Sequence, residues 1–227
     1  MVKKMKIAMT LLSGIRYGGI TYCMNFIPAL AKVDNVNEYH IFVQKDHPLS
    51  RMVKQNNFIF HECGSELQSA FMRLLWEQFK LPQELKKRRI DVIFTAKNAN
   101  ILLAPCKTVI SIRNMEPLCY KQYKNHWELD FLSWLRGQLT KVSIKKADRI
   151  IAVSQFVLKH LQENFSGLTD KIDLVYNGNT LWDCNKKFTE IKPNGHFLLS
   201  ASKFVAYANQ LNLLQGYALL CQEDENI

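Results

Sequence analysis

The chain is short of acidic residues, of paired cysteines and of long apolar runs, and each shortage removes a class of protein. Aspartate and glutamate number 20 against 30 lysines and arginines, a formal charge of +10 on 227 residues. Such an excess favours anionic partners such as nucleic acid, an acidic membrane surface or phosphorylated substrates; a solvated basic surface without a partner accounts for it equally. No run of about 18 apolar residues occurs, which excludes a membrane-spanning helix. Cys23, Cys63, Cys106, Cys119, Cys184 and Cys221 are scattered with no C-x-x-C pair, and the six histidines show no metal-ligand spacing, so no metal site is expected. Met1 to Lys6 is basic, but the apolar run after it is short and leads to Ser13-Gly14 rather than to a cleavage site. A secretory signal is therefore not expected, and the thiols are expected to be reduced, in a cytoplasmic setting. Repeats and low-complexity tracts are absent, and 48% apolar with 22% charged residues is ordinary for a globular protein.

What is present alternates. Lys6 to Leu12 is a continuous apolar strand of the kind buried on both faces, followed by Gly14 to Gly19 and a helix from about Ile20 to Lys32. Strands are expected at 39–44, weakly at 57–61, then at 91–95, 107–113, 149–153 and 172–176. Between them, Ser65-Glu66-Leu67-Gln68 fits a capping box opening a helix. Leu67, Phe71, Leu74 and Leu75 would line one face of that helix, and Pro82 would interrupt it. A second helix, 127–146, carries Phe131, Leu132, Leu135, Leu139 and Val142 as an apolar stripe. A third runs from Gln155 to Phe165. Strands alternating with helices imply a mostly parallel α/β sheet, Rossmann-like, with right-handed crossovers and helices on both faces. Residues 181–195 have few apolar side chains and read as a linker. A strand at 197–200 and a helix at 210–220 would then open a second sheet.

Four places can carry chemistry. Glycines between a first strand and first helix let backbone approach a ligand beside free N–H groups, although the spacing is not G-x-G-x-x-G. That absence, with a second strand ending Val43-Gln44 rather than in an acid, speaks against an NAD site. Arg113, Asn114 and Glu116 follow a strand at its carboxyl end, where open α/β sheets bind ligands. There Arg113 can grip phosphate or carboxylate; alternatively Arg113 and Glu116 form a structural ion pair and Asn114 a turn. Ser154 ends a strand and suits a helix N-cap. Asn177 and Gly178 suit a turn needing positive φ. Two cationic clusters, Lys86 to Arg89 and Lys141 with Lys145 and Lys146, close helices; they fit either an anionic membrane surface or the helix macrodipole. A nucleic-acid platform would need exposed aromatics interleaved with the cations, and the aromatics here fall mostly on apolar stripes.

The ordered run from Ala147-Asp148-Arg149-Ile150-Ile151-Ala152-Val153-Ser154 to Tyr176-Asn177-Gly178-Asn179 resembles the retaining glycosyltransferases of family 4. That family has the GT-B architecture, two Rossmann-like domains facing a cleft. The resemblance implies an acceptor-side domain over 1–180, a linker over 181–195 and the first β-α unit of an incomplete donor-side domain over 196–227. It implies sugar transfer from a nucleotide-sugar to a glycan or lipid-linked acceptor, as in surface polysaccharide or lipopolysaccharide synthesis. No cofactor and no metal would take part, and the catalytic residues remain unassigned. Gly18 and Gly19 match the family's Gly-Gly loop at the cleft floor. Arg113-Asn114 replaces a T-x-H-D-like loop, so a histidine role is untenable here. Asn179 and Thr180 replace the end of N-G-V-D. Lys203 falls where the family has its phosphate-gripping Arg, Ala208 where it has Lys, and Asn209 where Asn is usual. The E-x7-E region would lie past Ile227. The resemblance also implies peripheral attachment to the inner face of a membrane. Because most of the donor side is missing, weak or absent turnover by this chain is expected. Two alternatives stand beside it, a non-catalytic relative that binds glycan and one that pairs as a homodimer or with a complementing chain.

Overall fold

The computed structural model describes residues 3–13, 18–119, 127–178, 198–201 and 208–223, with backbone alone for 127–133. Its centre is a seven-stranded sheet in the order β3-β2-β1-β4-β5-β6-β7. The strands are β1 (Lys6–Thr10), β2 (Glu38–Gln44), β3 (Phe58–Cys63), β4 (Val92–Thr95), β5 (Lys107–Ile112), β6 (Arg149–Ala152) and β7 (Ile172–Leu174). Every pairing is parallel, with Thr10 opposite both Phe42 and Thr95, and Ile112 opposite Ala152. The strand expected to be weak, β3, pairs with β2 along its whole length.

The order steps one way through β1, β2 and β3, then reverses through β4 to β7. Right-handed crossovers therefore send the two sets of helices to opposite faces. The core follows this division. Met9, Ile41, Val43 and Phe94 pack with Cys23, Ile27 and Ala31 of α1 (Gly18–Val33) and with Leu49 of the short α2 (Leu49–Met52). On the other face Ala8, Phe42 and Ile93 meet Leu81 and Leu85 of α4 (Leu81–Arg88). Ile110, Ile112, Ile150 and Ala152 meet Ile144 of α6 (Trp127–Lys146) and Val157 and Leu161 of α7 (Gln155–Asn164). Neighbours such as Ala8 and Met9 thus serve opposite layers, which is why the strands read as unbroken apolar runs.

Three local expectations are corrected. Ser65 caps no helix: Ser65–Gln68 is a 3₁₀ turn after Gly64, and α3 (Ala70–Leu75) starts behind Ser69 with no side-chain cap. Pro82 does not interrupt the helix. It sits at the start of α4, just after a π-helical turn, Trp76–Lys80, whose wider hydrogen-bond spacing removes the need for the N–H that proline lacks. The apolar faces of these helices are also turned. Phe71 is 67% exposed and Leu74 and Leu75 are exposed too, while α6 presents Gly137, Thr140, Ser143 and Ile144 inward and leaves Leu135, Leu139 and Val142 exposed. Small residues let α6 approach the sheet closely, and helical spacing alone could not choose between the two stripes. The linker 181–195 lies outside the described residues. Of the expected strand 197–200, Phe197 lies outside the described residues and Leu198 to Ser200 belong to no strand; α8 (Gln210–Glu223) forms as expected.

Near the sheet edge, His40 Nε2 bonds Glu38 at 2.9 Å and His40 Nδ1 bonds His61 Nε2 at 2.9 Å, with the His61 ring stacked on Phe42. Burial, then the neighbouring Arg88 charge, then His40, hold His61 down at about 4. A histidine kept neutral in the fold binds its proton more readily when unfolded, so its contribution is complete above its ordinary 6.5 and is lost as pH falls from there toward about 4. The urea midpoint is expected to drop across that window, and His61→Phe to flatten the slope; equal slopes in the two proteins would refute the assignment.

Candidate functional site

The carboxyl ends of β1 and β4 lie side by side where the strand order reverses, the place where open α/β sheets bind ligands. Its floor is polar. Thr10 Oγ1 at the end of β1 donates to Glu77 Oε1 at 3.1 Å, and Lys97, two residues past β4, forms an ion pair with Glu77 Oε2. Glu77 is only 2% exposed and is carried by the π-helical turn. π turns occur often at functional sites, where the extra residue re-aims a side chain. A carboxylate this buried is tolerable because both its oxygens are bonded.

The next residue, Asn98, ties the β4 and β5 loops together. Its Oδ1 accepts from the Arg113 and Asn114 backbone N–H groups at 3.1 and 3.3 Å, and its Nδ2 donates to the Asn114 carbonyl. Asn114 turns inward: its Oδ1 accepts from the Glu116 N–H at 3.0 Å, opening the short helix α5 (Glu116–Cys119), and its Nδ2 lies 3.4 Å from Glu116 Oε2. This is the turn-former role. The alternative Arg113–Glu116 ion pair is not formed.

Arg113 turns the other way, over the Tyr22 ring of α1 with Cζ 3.6 Å from the ring centre. It lines a cavity of about 870 Å³ that runs along α1, with Gly18 at one end and Asn177 and Gly178 arriving from beyond β7. Of the candidate residues, Gly18, Arg113, Asn177 and Gly178 are therefore brought together. A Cβ placed on Gly18 or Gly178 would meet no atom of the described residues within 4 Å. Neither Asn177 nor Gly178 takes the left-handed backbone expected of them, because the chain leaves β7 along an open path instead of turning tightly. Gly19 lies one residue further into α1 and is not a lining residue. Ser154 is an N-cap, its Oγ accepting from the Val157 N–H at 3.3 Å. Lys203 lies outside the described residues. Asn209 has φ 58° and precedes α8, exposed.

Thr10, Glu77 and Lys97 were not legible as a site. Glu77 sits in what reads as an ordinary helix, although Lys97-Asn98 follows an apolar strand just as Arg113-Asn114 does, and that shared position was the available signal. Among the described residues no group of three histidines, cysteines or acids is placed to hold a metal, no helix is long and apolar enough to cross a membrane, and Cys23, Cys63, Cys106, Cys119 and Cys221 are free.

Removing Lys97 strands a buried carboxylate. Lys97→Met is expected to lower stability by about 3 kcal/mol, and Glu77→Leu with Lys97→Met to recover most of it. Urea unfolding of the three proteins measures this; a neutral Lys97→Met would show that water already satisfies Glu77.

Among solved structures, a glycosyltransferase from Rickettsia africae is 20% identical at TM-score 0.45, covering 78% of this chain and 44% of its own. A UDP-N-acetylglucosamine 2-epimerase is 13% identical at 0.47, covering 76% of this chain and 48% of its own. The apo lipopolysaccharide outer core galactosyltransferase WaaB is 18% identical at 0.46, covering 79% of this chain and 47% of its own. The chain thus spans less than half the length of each. A search of curated proteins found no match. The family model for Glycosyltransferase Family 4 matches residues 17–180, from the first helix to just past the Asn177-Gly178 segment that closes the cavity, and the chain belongs to that family.

Proposed function

We propose that this chain supplies the acceptor side of a sugar transfer from a nucleotide-sugar to a glycan or lipid-linked acceptor in surface polysaccharide synthesis. One observation carries the reading: the family match ends where the cavity does, and the end of the cavity lined by Gly18, Arg113 and Gly178 lies at the carboxyl edge of the sheet. The transferred sugar and acceptor would meet between Gly18, Arg113 and Asn177. The donor diphosphate would be gripped from the opposite domain, where Lys203 and Asn209 belong. No cofactor is invoked, and the Glu77–Lys97 pair would hold the floor rather than react. Attachment to an anionic membrane face is supported by Phe71 and Phe79, 67% and 60% exposed, on the helical rod that ends in Lys86, Lys87 and Arg88.

The expected behaviour of the 227-residue chain is glycan binding without micromolar affinity for UDP or GDP, and little or no transfer. Calorimetry with each nucleotide, saturation-transfer NMR with oligosaccharide acceptors and a radiolabelled transfer assay test it together. Rapid transfer by this chain alone would overturn the division of labour, and absence of any glycan binding would overturn the acceptor assignment.

A second reading has one observation in its favour. Leu211, Leu214 and Leu219 of α8 are 68%, 59% and 61% exposed, so a non-catalytic relative that pairs with a second copy of itself would have a surface to use. Sedimentation equilibrium is then expected to give a dimer that Leu211→Glu with Leu214→Glu dissolves; a monomer at 100 μM, on the order of the weakest useful self-association, would dismiss it.

A further inference from the structure

The Arg113 side chain is in an unusual position for a structural arginine. Its Nε is buried and has no hydrogen-bond partner. No carboxylate among the described residues lies within ion-pair distance of it. Among the described residues the cavity is lined by no Asp or Glu, while Lys32 stands at the far end of the same helix. Its nearest titratable neighbours do not neutralise it. Burial raises Tyr22 and pushes Cys23 up to about 11, and in both cases the Arg113 charge only pulls part of the way back. Stacking on Tyr22 holds the guanidinium plane and contributes cation–π attraction, but it uses none of the N–H donors. A partly buried cation with unused donors costs stability unless something in the working protein pairs with it.

We infer that Arg113, braced on Tyr22, is the binding site for an oxyanion carried by the acceptor, a phosphate or a carboxylate on a sugar. The two Nη groups at the end of the guanidinium offer two parallel donors, the fork that matches either group. Gly18 and Gly178 line the same cavity and add no side chain to it. A neutral glycan would leave the charge unpaired and lose this advantage. The inference rests on the acceptor reading given above and narrows it to charged acceptors.

The test uses the full chain in about 50 mM salt, where screening is modest. Glucose, glucose 6-phosphate, galacturonate and inorganic phosphate are titrated while the Arg113 side-chain Nε–H resonance is followed by NMR. At least one anionic sugar is expected to bind about tenfold or more tighter than glucose, in line with a charged hydrogen-bond pair, and to shift that resonance. Which one binds separates a phosphate from a carboxylate ligand. Arg113→Gln is expected to erase the margin and Arg113→Lys to keep part of it, charge without fork. Equal affinity for glucose and both anionic sugars, or an undiminished margin in folded Arg113→Gln, overturns the inference while leaving a glycan site standing. Inorganic phosphate binding as tightly as glucose 6-phosphate, with the resonance shifted, supports the oxyanion site and overturns the glycan reading instead. No binding by any of the four overturns both. If Arg113→Gln does not fold, Arg113→Lys decides, since a full margin there means the fork is not used.

Discussion

The parallel pairing of β1 with β4 is the constraint on which the rest depends. These two strands are neighbours, yet the chain leaving one crosses one face of the sheet and the chain leaving the other crosses the opposite face. Nothing continues straight over their shared carboxyl end, so an opening there is a consequence of connectivity. Everything built into the site answers that opening. The π-helical turn swings Glu77 across to Thr10 and Lys97, and Asn98 straps the following loop into place. Arg113, stacked on Tyr22 and with no ion pair among the described residues, is left to face the cavity along α1.

The fold was largely legible because both-face burial writes strands as unbroken apolar runs, and turn residues separate them. Residues 149–154 and 172–178 were informative for this reason, and Ser154 proved to be the N-cap its chemistry suggested. The helices were harder. α6 has two stripes at helical spacing, one of leucines and one of small residues, and the sheet took the small one because close approach gains more contact there than large side chains can offer. At Pro82, proline's usual meaning was reversed by the preceding π turn, which no local pattern announces.

The site was legible in part, and its two halves differ in kind. Residues just past strand ends could be found by position alone: Arg113 and Asn114 follow β5, and Asn177 and Gly178 follow β7. Their division of work could not. That Asn114 folds inward to open a short helix while its neighbour turns outward over Tyr22 depends on α1 lying on one face, a tertiary fact. Glu77 was invisible because its partners, Thr10 at the end of β1 and Lys97 in the loop after β4, are 67 and 20 residues away. The wrong expectation at Asn177-Gly178 has a similar origin, since an Asn-Gly pair permits a left-handed turn but does not require one.

The Glu38–His40–His61 chain fixes the tautomers of both rings. The Glu38 carboxylate can only accept, so His40 carries its hydrogen on Nε2 and offers the lone pair of Nδ1; His61 must then hold its own hydrogen on Nε2, leaving Nδ1 as the one vacant nitrogen. A proton arriving at His61 Nδ1 leaves every bond of the chain intact, whereas one arriving at His40 Nδ1 breaks the link between the rings. Within this chain acid therefore enters at His61, on the edge strand β3, on the far side of the sheet from β5 and Arg113.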